Sequence, residues 1–239
     1  MNTTQMLQSA QFRWDALNRY LTQNGVDVGK TDVRTIERDV RVIQKLKDGK
    51  NQYVFNLKNG NLGADGGDLE ILLSDQHVFM IYAWSVKIGL LTKVGNEWRL
   101  QDRTFVDTAL FPIAQELNLM DIYNGTFKMN VSQLTNQQDL SLKRFYYTPE
   151  TQQGTGANGA IGVRNSIQNG DGFIETRPYS VILHSQTTKP EVQIPYSSSL
   201  ENATDDTYHV LIYEARGYEV SNVADYLRAK KQNSVFLAG

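Results

Sequence analysis

The chain has 239 residues, 40% of them hydrophobic and 21% charged, enough for one large domain or two small ones with a substantial core. Its 24 basic and 26 acidic side chains leave no net field to recruit nucleic acid or an anionic membrane. There is no cysteine, which removes disulfide frameworks, thiolate zinc sites and cysteine nucleophiles together.

The opening MNTTQMLQSAQFRW lacks a basic n-region and an apolar h-region. The longest wholly apolar run, Val78 to Trp84, is far below the roughly 20 residues that span a bilayer, so the sequence reads as a soluble chain used without export. Leu7, Ala10, Trp14, Leu17 and Leu21 then recur at steps of three and four, with Thr3 or Thr4 as N-cap and Asn24-Gly25 as the stop. This predicts an amphipathic helix whose stripe packs on the chain's own core, on a neighbouring subunit or on a membrane, with Arg13 and Arg19 making it slightly basic.

The following GVDVGKTD imitates a phosphate-binding loop. Only three residues separate Gly25 from Gly29-Lys30, one fewer than the Walker spacing, so a connecting turn is expected. Val40, Val42 and Leu46, then Asp48-Gly49, then Tyr53, Phe55 and Leu57 predict a β-hairpin, although Val33, Ile36, Val40 and Ile43 also fit helical spacing. Val78, Met80, Tyr82, Trp84, Val86, Ile88 and Leu90 occupy alternate positions, which predicts a long strand with one apolar face throughout and a turn at Gly95-Asn96. A short helix, FPIAQELNLM, is expected next with Pro112 in its first turn.

Asn124-Gly125 opens another hairpin-like unit, with Phe127, Met129 and Val131 alternating and DLSLKRFYY returning. Gly154, Gly156 and Gly159 have the G-x-G-x-x-G spacing of a dinucleotide site, with Glu175 at about the distance of the ribose acid. The stretch after them, AIGVRNSIQNGDG, is too broken by glycine and asparagine to be the helix that would bind phosphate, so residues 150 to 172 read as a long loop. FIETRPYSVILHS, EVQIP and TYHVLIYEARGYEV are again strand-like. A short helix is expected from Ser221 to Lys231, followed by the tail NSVFLAG. Roughly 12 strands without βαβ alternation predict an all-β sandwich or barrel with helical additions.

Catalytic constellations are sparse. His77, His184 and His209 each lie in a strand-like run, so a metal site would need three strands to converge, and none is expected. Asp65 and Asp68, or Glu201, Asp205 and Asp206, could gather oxygen ligands or supply glycosidase carboxylates, but both groups sit in turn-rich segments where aspartate favours the turn. Sequons at Asn2, Asn124, Asn130 and Asn202 matter only in a secretory pathway. Trp98, Tyr146, Tyr147, Tyr196, Tyr213 and Tyr218 are enough to line a sugar-binding face, the alternative to core or subunit packing.

The succession VFMIYAWSVKIGLL, RTFVDTALFP, MDIYNGTFKMNV, LSLKRFYYTP, PYSVILHS, EVQIPY and YHVLIYEARGYEV resembles the small jelly-roll major capsid proteins of tailless, lipid-containing icosahedral bacteriophages, over roughly residues 65 to 220. The resemblance implies a jelly-roll subunit, commonly two jelly rolls side by side, that trimerises into capsomers of an icosahedral shell over an internal membrane. It implies no catalytic residue and no cofactor. The expected organisation is a helical arm at 1–28, a β unit at 29–220 and a C-terminal helix and tail at 221–239, with any boundary between two barrels near 110–120 or 148–172. Self-assembly with other copies and other capsid proteins is then expected in a virion, made in the host cytoplasm, with no specific nucleic acid bound. Leu7, Trp14, Leu17 and Leu21 of the arm and Phe236 and Leu237 of the tail are the candidate assembly contacts. The competing classes are a carbohydrate-binding β-sandwich, read from the aromatics, and a hydrolase using Glu201 or Asp205.

Overall fold

The computed structural model describes residues 3–23, 26, 29, 33–57, 73, 77–104, 119–130, 140–146, 151–153, 161–163, 172–175, 180–184, 189–195, 206–221 and 236–237. The chain begins with helix α1 (Thr3–Gln23). The Val26 N–H donates to the Leu21 carbonyl at 2.9 Å, a bond back over five residues of the kind that closes a helix, and Val26 packs in the same apolar cluster as Leu21.

Thirteen strands follow among the described residues: β1 (Arg34–Lys45), β2 (Gln52–Val54), β3 (Val78–Val94), β4 (Glu97–Arg103), β5 (Thr126–Asn130), β6 (Leu140–Ser141), β7 (Thr151–Gln153), β8 (Ile161–Val163), β9 (Ile174–Glu175), β10 (Ser180–His184), β11 (Lys189–Gln193), β12 (Thr207–Ser221) and β13 (Phe236–Leu237). They form a large antiparallel sheet in the order β1-β12-β3-β10-β13, with β4 and β9 also paired to β3, and a small one in the order β2-β11-β5-β6. β7 and β8 make a separate two-stranded ribbon.

One apolar cluster joins the two sheets. Val40, Val42, Trp84, Val86, Ile88, Leu211, Tyr213 and Ala215 of the large sheet are buried with Tyr53, Phe55, Phe127, Met129, Val192 and Ile194 from the small sheet and its flanks. Phe127 stacks on Tyr213 with ring centroids 5.8 Å apart and lies 6.0 Å from Trp84, so aromatic rings fill the centre of the sandwich.

Several sequence expectations change in three dimensions. The turn at Asp48-Gly49 is present, with Gly49 at φ 76° and the Lys50 N–H donating to the Lys47 carbonyl, but no hairpin forms. β1 pairs with β12 and β2 with β11, so this turn carries the chain from one sheet to the other. Tyr53 pins the corner, its hydroxyl accepting from the Lys47 N–H and donating to the Lys50 carbonyl.

The apolar stripe of β3 does not stay on one face. Arg216 lies opposite Ala83 and Gly217 opposite Ile81, so Tyr82 is an extra residue in β3, and side chains exchange faces there. Phe79 and Ile81 before the bulge, and Trp84, Val86 and Ile88 after it, all point into the sandwich, whereas Met80 and Tyr82 point away from it. Gly217 is required at this crossing because a side chain there would run into the Met80 carbonyl.

Among the described residues of the returning segment DLSLKRFYY only Leu140–Ser141 is strand, and a 3₁₀ turn occupies Leu142–Arg144, capped by the Ser141 hydroxyl accepting from the Lys143 N–H. Strands on either side of 110–120 and of 148–172 interleave in the same two sheets. The expected helix at Ser221 begins instead as the last residue of β12, and its remainder lies outside the described residues, as does all of FPIAQELNLM before Leu119.

Candidate functional site

The face of the large sheet turned away from the small one is divided into three zones by the register of β1, β12 and β3. At one end Leu17, Leu21 and Val26 are buried against Met80 and Val220, with Val33 and Tyr218 packed alongside. Trp14 meets Tyr218 edge to face at 6.0 Å, and the Arg13 guanidinium lies 4.2 Å from the centre of the Tyr82 ring. The Tyr82 hydroxyl donates to Glu37 at 2.6 Å. Burial, and then the Glu37 carboxylate, push the Tyr82 phenol well above its usual range. The extra residue of the bulge is therefore the one that ties helix, β3 and β1 together.

The middle zone is ionic. Lys87 of β3 reaches Glu214 of β12 at 2.5 Å and Asp102 of β4 at 3.4 Å, while Arg216 lies 3.7 Å from Asp39 of β1. The Phe173 ring covers both cations, 5.1 Å from the Lys87 ammonium and 3.9 Å from the Arg216 guanidinium. It is held by the backbone next to it, since the Ser85 hydroxyl donates to the Gly172 carbonyl at 3.0 Å and Ile174 pairs with Trp84. Burial raises the Asp39 carboxyl from its ordinary range, with Arg216 acting in the opposite direction.

At the other end Ile43, Leu91, Val210 and Ile212 lie beneath Trp98, Leu100 and Tyr208, and the Lys45 ammonium sits 3.7 Å from the Tyr208 ring centre. On the opposite, inward side of the sheet, Glu219 is only 5% exposed and is held between Arg38 and His77, the latter through Nδ1 at 2.6 Å. Strands β1 and β12 and the residue just before β3 thus meet on one carboxylate.

Of the predicted contacts, Leu17 and Leu21 are fully buried on the chain's own sheet, whereas Trp14 is 42% exposed. Leu7 belongs to α1, but its side chain lies outside the described residues. Phe236 and Leu237 form β13, opposite Val181 and Ser180 of β10. The three histidines do not converge: His184 lies opposite Val78 and His209 opposite Leu90, 12 residues along β3 and so roughly 40 Å apart at about 3.3 Å per residue. No group of three or more metal-ligating side chains comes together among the described residues.

Of the aromatics weighed between core packing and a sugar-binding face, Tyr213 is wholly buried in the core; Trp98 and Tyr218 are half-buried, Tyr146 is exposed, and Tyr147 and Tyr196 lie outside the described residues. Also outside them are Asp65, Asp68, Glu201, Asp205 and the glycines at 154, 156 and 159, while Asp206 is an exposed turn residue. The Lys87, Asp102 and Glu214 arrangement was missed from sequence. Its only signal is a charge in the middle of each of two long apolar strands, at a position where a fully enclosed strand would carry none.

No protein-family model matches the chain, and neither a curated protein nor a solved structure matches it. No helix among the described residues is long and apolar enough to cross a membrane.

Proposed function

We propose that this chain is a capsid subunit, a single jelly roll that associates, as trimers, with further copies and other capsid proteins into an icosahedral shell. The observation that carries the reading is the strand pairing. β1 pairs with β12, β2 with β11, β3 with β10 and β5 with β6, the pattern of one long antiparallel ribbon whose tip lies between β5 and β6. Rolled once, such a ribbon places alternate rungs in opposite sheets, in the orders β1-β12-β3-β10 and β2-β11-β5-β6. Two Greek keys wound in this way make a jelly roll, an architecture used by viral shells and by lectins.

Three features favour a shell. The succession of strand segments resembles tailless phage capsid proteins. β3 and β12 run for 17 and 15 residues, long for a small binding module. α1 presents Phe12 at 44% and Trp14 at 42% exposure after its apolar stripe is already docked, leaving two aromatic side chains for a neighbour.

Sedimentation and negative-stain electron microscopy of the purified protein test the reading. The expected result is trimers that close into shells, with Phe12→Glu weakening assembly while the thermal transition stays in place. A stable monomer under every assembly condition, together with tryptophan fluorescence that responds to glycans, would replace a shell subunit with a lectin-like module.

A further inference from the structure

Lys87 is a buried nucleophile that the assembly reading leaves unused. Its side chain is 11% exposed and that of Glu214 13%, and Phe173 covers the ammonium. Asp102, on the adjacent strand of the β3–β4 hairpin, lies opposite Gly89. Gly89 has no side chain to direct at Asp102, and Lys87, two residues earlier on the same face, brings its Nζ to 3.4 Å from Asp102 Oδ2. On the other flank Ser85 faces Glu214, which places that carboxylate diagonally beside Lys87 at 2.5 Å. One amine is therefore held between two carboxylates of unequal exposure, Asp102 being 36% exposed and Glu214 nearly enclosed.

We infer that Lys87 and Asp102 become joined by an intramolecular isopeptide bond, with Glu214 moving the protons. Glu214 takes one proton from the ammonium across their contact, which frees the nitrogen lone pair. The amine attacks Asp102 Cγ, forming the C–N bond and a tetrahedral centre. Glu214 returns its proton to the departing oxygen, which takes a second proton from the nitrogen, and the C–O bond breaks. Ammonium and carboxylate become an amide and one water, which leaves by the open side at Asp102; no oxidant, nucleotide or metal enters the balance. Holding the reactants on two paired strands supplies the effective concentration that the same condensation lacks between free side chains in water. The link fastens β4 to β3, the one strand with which β4 is paired among the described residues. It goes beyond the shell proposal and does not depend on it.

Intact-mass spectrometry of the folded, full-length protein tests this. The wild type is expected to weigh less than its sequence by one water, about 18 Da, and to give a branched tryptic peptide joining the Lys87 segment to LQDR (residues 100 to 103). Lys87→Arg keeps the charge but not the nucleophile and is expected at full mass, as is Glu214→Gln. Asp102→Asn should lose ammonia in place of water, about 17 Da. Wild-type protein that melts cooperatively yet stays at its sequence mass after prolonged incubation, with no branched peptide, would overturn the inference and leave Lys87 as an ion-pair residue. So would an unchanged loss of water in Lys87→Arg.

Discussion

Tyr213 is fully enclosed between the sheets, and among the described residues neither its hydroxyl nor the buried Trp84 Nε1 finds a hydrogen-bond partner. A buried donor left unpaired costs about 1–3 kcal/mol, so Tyr213→Phe, which keeps the ring that stacks on Phe127, should raise stability by about 1 kcal/mol in urea unfolding. A loss of stability would mean that the hydroxyl is satisfied in solution. The same residue sets a pH limit. Burial raises the phenols of Tyr123, Tyr213 and Tyr82 in the folded state, so the stability they contribute as neutral groups is complete below the ordinary tyrosine range near pH ~10 and is lost as pH rises past it. Alkaline titration should show these phenols ionising together with unfolding, and Tyr213→Phe should move that transition to higher pH. Glu219 gives the opposite outcome on substitution. Removing it takes away the buried acceptor that Arg38 and His77 share, and Glu219→Ala should cost about 3 kcal/mol in the same assay, with Glu219→Gln costing less.

Helix α1 is held to the sheet by a few large side chains, and Leu21 contributes both to that cluster and to the bond that ends the helix. Leu21→Ala should remove about 2–4 kcal/mol from helix docking. Hydrogen exchange should then show α1 opening while the amides of β3 and β12 keep their protection; a uniform loss across the sheet would mean that the helix is integral to the sandwich. The helix was legible in the sequence because its cause is local: a three-four stripe and a glycine stop act within a few turns. The turns at Gly49 and Gly95 were legible for the same reason, both having positive φ. What the first of them joins was not. Whether β1 folds back on β2 or crosses to β12 depends on partners more than 150 residues away, and alternation looks the same in either case. The face change at Tyr82 was hidden because it is set by the close approach of Gly217 to Met80, a contact between distant segments. Tyr213 stayed open between core packing and a binding face because LIY reads equally well as buried or half-exposed strand until a second sheet covers it. The ionic zone was invisible for that reason too, since its charges come from β1, β3, β4 and β12.

At the scale of the whole molecule, most of the fold rests on pairings of high sequence separation. Arg34 and Ser221, 187 positions apart, sit side by side at one end of the large sheet. Such a topology is slow to form, because loop closure comes before any contact rewards it, and refolding from urea should take seconds or longer rather than milliseconds. A single fast phase would point to a locally organised intermediate. The shell reading makes its own demand here, since neighbouring copies must not engage until each sandwich is closed.

The adjacency of β1 and β12 has a consequence during synthesis. On the ribosome, β1 emerges long before its partner exists: at about 5–20 residues per second, translation from Lys45 to Thr207 takes roughly 10–30 s. Through that interval the nascent chain carries an unpaired edge and an open apolar interior, a state that invites chaperone capture. Closure of the sandwich thus waits for the synthesis of β12, and truncated products lacking β12 should be degraded rather than built into any assembly.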